Sequence, residues 1–370
     1  MRFSVSHPRL HGEPIESKDK SVLHTLTGVV TGRNAVFLQA KLLNEVLRTS
    51  FDIVTNMHAT RWMKSSVLRS LISSKAPIIC HYGSFDPVVF ALQRRPKTIF
   101  VYHNHTPLRF YWKWRPRVAL LDLMTEAQLR LMPKDVHWVA VSEYNRQCLH
   151  RLGFAKVDVC PCIVLTVQPD RLPDKTSDPS VLFVGHIWPH KNCIRLVSEI
   201  SVAANILRRR VTLRIVGDPR PGFLYGKAFQ WSVSRLSSHK WLRIEWLPGI
   251  LPEEELDSLY GSSWLYVSTS LHEGFGLPAC ESVMRGTPAV YLECGGQESV
   301  LGQAGMVRLS ERQSFGHEVA RLLLDEPSRG RLLSEQKQYV SKYVAPEVEN
   351  TIRAVYMPLV SSEWMGAQRQ

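Results

Sequence analysis

The sequence predicts an α/β protein made of two parallel, doubly wound sheets in tandem, and three observations carry that reading. Short β-rich runs alternate with amphipathic helical runs along nearly the whole chain. The strand runs are almost continuously apolar, as expected where both faces of a parallel sheet are covered. The length of 370 residues suits about two domains, and a polar stretch divides the alternation near its middle.

In the first half the predicted strands are Phe51–Thr55, Pro77–His81, Thr98–His103, His137–Ser142 and Lys156–Cys160. Helical patterns lie between them at Asn34–Leu47, Trp62–Ser73, Arg117–Leu131 and Glu143–Leu152, with Asn34 a candidate N-cap. The first 26 residues show no clean strand. Gln168 to Pro179 is rich in Pro and Asp, lacks periodicity and reads as the linker. The alternation then restarts. Strands are predicted at Val181–Gly185, Val211–Val216, Leu242–Trp246, Trp264–Ser268 and Ala289–Leu292, and helices at Cys193–Arg208, Pro252–Tyr260, Phe315–Leu324 and Arg329–Val340. Pro252 in a first turn beside Glu253 to Glu255 suits the helix dipole. A last helix near Pro346–Leu359 is expected to fold back on the first unit. The domains expected are 1–167, a linker 168–179, 180–344 and a terminal helix segment 345–370.

Composition narrows the function classes. The chain carries 46 Lys+Arg against 33 Asp+Glu, a net charge of +13, which favours anionic partners. Residues 1–170 hold 23 Lys/Arg and 12 Asp/Glu, a net of +11, and the remainder is nearly neutral. The N-terminus leads to no apolar run and no stretch reaches about 18 uninterrupted apolar residues, so neither a secretory signal nor a spanning helix is predicted. Seven scattered cysteines suit a reducing compartment better than a disulfide framework.

The most informative segment is Leu271-His272-Glu273-Gly274-Phe275-Gly276-Leu277-Pro278-Ala279-Cys280-Glu281, between a strand and a helix. That is the carboxyl end of a sheet, where open α/β folds bind ligands. Gly274 and Gly276 allow backbone N–H groups to approach an anion, and the helix N-terminus adds partial positive charge. Glu273 and Glu281 repel phosphate and are better employed accepting hydrogen bonds from sugar hydroxyls. An ordinary βα turn is the plain alternative. A second strand-to-helix turn, Gly185 to Asn192, carries Lys191 as a point charge for phosphate. Its His186 and His190 read equally as packing or loop histidines.

These segments, with Ile215-Val216-Gly217-Asp218, Leu247-Pro248-Gly249 and Gly295-Gly296-Gln297-Glu298, resemble the retaining glycosyltransferases of family 4, which have the GT-B fold of two Rossmann-like domains facing a central cleft. Glu273 and Glu281 carry that family's E-x7-E spacing, and Val139 to Phe154 resembles the end of its acceptor domain. The resemblance is strong over about residues 137–340. It implies that Lys191 neutralises donor phosphate, that Glu273 holds hydroxyls of the transferred sugar, and that the backbone of Phe275 to Leu277 lines the sugar diphosphate. Glu281 would bind the donor ribose. The family usually has Arg where this chain has His186, which lacks a bidentate fork and bears less charge.

In the first half, the family's glycine-rich opening loop corresponds best to Thr27 to Asn34. Gly32 would then approach donor phosphate, and Arg33 is a candidate for the missing cation. The family often places a histidine at a strand end near the sugar, which favours His103. A satisfied structural histidine, or a His103-x-His105 metal pair, competes with that reading, although the family needs no metal. Arg109-Phe110-Tyr111-Trp112-Lys113-Trp114-Arg115-Pro116-Arg117, with Arg94, Arg95 and Lys97, interleaves aromatics with cations. Such a segment can meet a bilayer interface, stack on nucleic acid, or be a partly buried loop.

The expectation is an enzyme that moves a hexose, mannose being one candidate, from a nucleotide-diphosphate sugar to a hydroxyl of a glycan or lipid-linked acceptor. It would retain anomeric configuration, use no metal or other cofactor, and act in cell-envelope polysaccharide or lipopolysaccharide synthesis. It is expected in the cytoplasm, peripheral on an anionic membrane surface, without nucleic acid as a partner. The alternatives are a non-catalytic sugar-nucleotide-binding module, a GT-B phosphorylase or epimerase, and a nucleic-acid binder.

Overall fold

The computed structural model describes residues 22–28, 34–166, 172–219, 224–308 and 315–360. Two six-stranded, wholly parallel sheets form its frame. The first comprises β1 (Val22–Thr27), β2 (Val54–Ala59), β3 (Ile78–Tyr82), β4 (Thr98–Tyr102), β5 (Trp138–Ala140) and β6 (Val157–Val159), in the order β2-β1-β3-β4-β5-β6. Its helices are α1 (Ala35–Phe51), α2 (Ser65–Ser73), α3 (Pro87–Leu92), α4 (Pro116–Leu131) and α5 (Glu143–Arg151). All five residues of β3 and of β4 are buried, so these strands are covered on both faces, as their largely apolar character requires. Asn34 does cap α1, its side chain accepting from Val36 N at 2.9 Å.

The second sheet comprises β7 (Ser180–Val184), β8 (Val211–Val216), β9 (Leu242–Leu247), β10 (Leu265–Ser268), β11 (Ala289–Leu292) and β12 (Met306–Val307), in the order β12-β11-β10-β7-β8-β9. This is the order of a doubly wound nucleotide-binding sheet, with its switch point between β7 and β10. Its helices are α6 (Cys193–Leu207), α7 (Leu224–Leu236), α8 (Glu253–Ser262), α9 (Leu277–Met284), α10 (Gly296–Leu301), α11 (Phe315–Leu324) and α12 (Glu326–Val340). The expected polar connector leads into this sheet tied down: Lys175 Nζ donates to Ser263 O at 2.7 Å and Gly286 O at 3.0 Å, carbonyls just beyond the C-termini of α8 and α9.

The last helix, α13 (Glu347–Val360), does fold back on the first sheet. Ile352, Tyr356 and Leu359 join one buried cluster with Leu43, Leu47, Cys160 and Cys162, and Ser50 Oγ donates to Glu349 Oε2 at 3.2 Å. The chain therefore crosses between the two sheets twice. The crossings touch, since Val164 N donates to Tyr343 O at 3.0 Å.

Three expectations need correction. A strand does lie within the first 26 residues: β1 begins at Val22, its polar side chains hidden by internal partners such as Asn44, which accepts from Thr25 Oγ1 at 2.6 Å. The strand expected at Phe51–Thr55 begins at Val54, because Phe51 completes α1 and Asp52 terminates it in a left-handed conformation (φ 54°). Arg95 belongs to no surface patch. Its guanidinium donates to Leu71 O, Ser74 O and Ala76 O at the end of α2.

Candidate active site

Three βα turns of the second sheet converge at the switch point. The turn after β7 carries Lys191, the turn after β10 carries Glu273, and the turn after β11 starts at Gly295. Backbone bonds hold the first two in register: Leu271 N donates to His190 O at 2.8 Å, and Thr269 Oγ1 to Asn192 O at 3.0 Å. Lys191 Nζ meets Glu273 Oε1 at 2.6 Å, and both side chains are largely buried (20% and 12% exposed). The expected phosphate cation and the expected sugar carboxylate thus face each other as an ion pair. Behind them, Glu273 forms an isolated parallel bridge to Gly295. A Cβ on Gly296 would collide with the backbone of Glu273 and Gly274.

The glycines serve a further purpose that spacing did not reveal. A Cβ on Gly274 would lie 2.7 Å from Asn104 Cβ and 3.1 Å from His103 O, so Gly274 lets the loop close directly onto the first sheet. Ser142, the N-cap of α5, donates its Oγ to Gly274 O at 2.7 Å. Gly276 adopts φ 90° and starts α9, with Pro278 in the first turn. Phe275 is buried edge-on against Tyr343, so its backbone alone can face a ligand, whereas Leu277 is partly exposed. One turn into α9, Glu281 Oε2 accepts from Tyr260 OH at 2.9 Å. Burial pushes the Glu281 carboxyl above the usual range, against the opposing pull of Arg285.

The histidines divide by surroundings. His186 is exposed and stacked on Trp188, with ring centroids 5.2 Å apart. His190 is buried, its Nδ1 3.3 Å from Tyr111 OH, and desolvation holds it well below its ordinary value. His103 lies at the end of β4, 2.7 Å (Nε2) from His81 Nδ1, and burial pushes it down to about 4. It is a neutral imidazole at physiological pH. His105 points elsewhere, its Nδ1 2.8 Å from Tyr102 OH. Among the described residues no group of three or more His, Cys, Asp or Glu is arranged to hold a metal. Gly32 and Arg33 lie outside the described residues.

Sequence reasoning left His272 and Asn104 unassigned. His272 Nε2 lies 2.9 Å from His105 O and 3.1 Å from Asn104 Nδ2, and burial brings this imidazole down to about 4. Asn104 has φ 73°, an uncommon conformation for a non-glycine residue, directly beside His103. The adjacency of His272 to Glu273 was the available signal. The aromatic segment also needs correction. Tyr111 is buried against Trp188 and His190, Trp114 meets Tyr225 edge-on at 5.1 Å, and Phe110 faces His272 at 5.9 Å. Three of its four aromatics therefore pack across onto the second sheet's side, and Trp112 alone is strongly exposed.

With these contacts the two sheets meet closely at the cleft. A cavity of about 360 Å³ lies away from it and is lined in part by Arg210, Lys240 and Arg243 beside β9. A cavity of about 20 Å³ beside His81 and His103 has room for about one water.

Comparison with known proteins adds the following. Residues 166–339 match the family model described as glycosyl transferases group 1. An O-antigen chain mannosyltransferase B from Escherichia coli is 31% identical over 201 residues, 49% of this chain and 51% of that protein. The chain thus spans about half the length of this curated relative. A sucrose-phosphate synthase from Thermosynechococcus elongatus superposes with a TM-score of 0.70 at 15% identity, covering 92% of this chain and 99% of that one. Anabaena HepE, solved in complex with UDP and glucose, gives 0.63 at 14% identity, with the same coverages of 92% and 99%. These likenesses show the fold, the two-domain α/β arrangement of GT-B glycosyltransferases.

Proposed function

We propose that the protein is a retaining, metal-independent glycosyltransferase that moves a hexose from a nucleotide-diphosphate sugar to a hydroxyl of a glycan or lipid-linked acceptor. The observation that supports this best is the Lys191–Glu273 ion pair at the β7/β10 switch point, within the segment matching the family model. A donor diphosphate entering there takes Lys191 as its counter-ion and the N-terminus of α9 as a source of partial positive charge. Glu273 is then released to accept hydrogen bonds from sugar hydroxyls. Glu281, with Tyr260 beside it, is in this reading the ribose acceptor. Neutral His103 serves as a hydrogen-bonding group near the sugar.

In the transfer, the bond from the anomeric carbon to the departing diphosphate oxygen breaks. The acceptor oxygen bonds to the same face, and its proton passes to the departing phosphate. Lys191 stabilises the charge that grows on the leaving group. Arg109 is the candidate cation to replace the Arg that family members have at His186, because it lies over the Phe110 ring, which faces His272 beside Glu273. The relative from Escherichia coli supports mannose as the sugar and cell-envelope polysaccharide as the product. A cytoplasmic site on an anionic membrane surface completes the reading. Among the described residues no helix is long and apolar enough to cross a membrane.

The test is a screen of nucleotide-sugar donors for hydrolysis and for transfer to membrane extract. Glu273→Ala is expected to lower turnover by at least about 10²-fold while the chain stays folded by circular dichroism, its melting curve lowered only by loss of the Lys191 pair. Undiminished activity would sink the site assignment. A non-catalytic binding module is the second reading, favoured by the exposed, stacked His186 in place of an Arg. Donor binding without turnover is its signature.

A further inference from the structure

Helix α4 is apolar on an outward side as well as on its inward one, where Ala119 and Leu129 are buried. Its inward side carries Thr125 and Gln128, both buried. Their polar groups are satisfied by the turn after β3. Thr125 Oγ1 accepts from Phe85 N at 2.8 Å, Gln128 Oε1 accepts from Asp86 N at 3.0 Å and Tyr82 OH at 3.1 Å, and Gln128 Nε2 donates to Asp86 O at 2.6 Å. These bonds, with buried Leu129, fix the rotation of the helix, so Leu120, Leu121, Leu123 and Leu131 stay outward. Leu120, Met124 and Leu131 fall along one line of the helix with Ala127, flanked by Leu121 and Leu123, and all are exposed. Leu120 is 57% and Leu131 73% exposed, and Trp112, just before the helix, is 65% exposed. The row from Leu120 to Leu131 is about 17 Å long, at about 1.5 Å per residue.

We propose that this face, with Trp112, is a docking surface for an anionic lipid bilayer. The charges around it select that occupant. Between Lys113 and Leu131 the sequence has four cations (Lys113, Arg115, Arg117, Arg130) and two acids, Asp122 and Glu126. Glu126 is paired with Arg130 at 2.6 Å, and Asp122 is turned partly inward with one buried carboxylate oxygen. The helix therefore offers no unpaired, fully exposed carboxylate, which suits acidic headgroups over a helix lying in the interface plane. The segment Leu108–Trp114 continues from this surface to Phe110 and His272 in the cleft, so a lipid-linked acceptor would reach the donor loops along it. This deepens the acceptor and membrane part of the function proposed above, and rests on that reading only for the acceptor's route.

The experiment uses the full chain with vesicles of phosphatidylcholine alone and vesicles containing phosphatidylglycerol, without donor. The wild type is expected to float with the anionic vesicles, to release as salt is raised, and to shift Trp112 emission to the blue. Leu120→Gln combined with Leu131→Gln is expected to weaken flotation at least tenfold and leave the melting curve and donor hydrolysis unchanged. Glu273→Ala should float like the wild type, so failure of the catalytic reading and failure of the docking reading are distinguishable. Equal flotation of the double variant, or no flotation of the wild type, overturns the proposal. So does a dimer that the double variant dissociates, which would assign the face to a second copy.

Discussion

At the scale of single residues, the imidazoles around the cleft are held neutral by burial. His103 and His272 are each brought from 6.5 down to about 4. Between those values the unfolded chain binds more protons than the folded one, so their contribution is fully present above pH 6.5 and is lost as pH falls toward 4. Unfolding free energy measured in urea is expected to drop by roughly 2–5 kcal/mol over that window. His272→Asn should flatten the slope, and an unchanged slope would mean that His272 is solvated. The sequence singled out His103 but left its role open, because its partner His81 lies on a neighbouring strand and only pairing of β3 with β4 brings the two rings together. Glu273 and Lys191 were legible from their turns. Their mutual ion pair was not, since it depends on β10 lying next to β7.

At the scale of elements, legibility followed the burial of both strand faces. β4, β10 and β11 read directly as apolar runs, whereas β1 was concealed by Thr25 and His24, whose polar groups find partners within the fold. Helix α4 was recognised as a helix, but its outward face was not, because apolar residues on both sides defeat the rule that they mark the core-facing side. The glycine turns show the same limit. Gly295 has φ 90°, and a Cβ there would strike the Tyr144 ring at the start of α5. Gly295→Ala is expected to destabilise by about 1–3 kcal/mol and, under the function proposed above, to lower kcat/KM by prising α5 from the turn before α10. Gly330→Ala, in α12 with open space around it, is the control and should stabilise by about 0.4–1 kcal/mol. Chemical denaturation of both variants checks this, and similar effects at the two positions would argue against an interdomain role for Gly295.

At the scale of the whole molecule, the residues of the basic segment divide between inward and outward uses. Three aromatics of the segment brace the two halves, and Arg95 ties off a helix. Exposed on the outside are Trp112, the leucine face of α4 and the cations Lys113 and Arg130. The return of α13 to the first sheet, anticipated from the sequence, makes that sheet's core depend on residues more than 180 positions away. Tyr356, buried beside Cys160 and Cys162, illustrates the dependence. Tyr356→Ala is expected to cost about 3–5 kcal/mol in urea unfolding, and a cost under about 1 kcal/mol would mean α13 is dispensable.

The two crossings between the sheets have a mechanical consequence. A single tether would let the halves swivel, slide and twist. Two tethers, bonded to each other at Val164 and Tyr343, act like the pins of a door. Rotation about that shared point is the motion they oppose least, and it is the motion that would part the face bearing His103 from the face bearing Glu273. The hinge then limits the path of closure, and the close contacts at Gly274 and Gly295 fix where it ends.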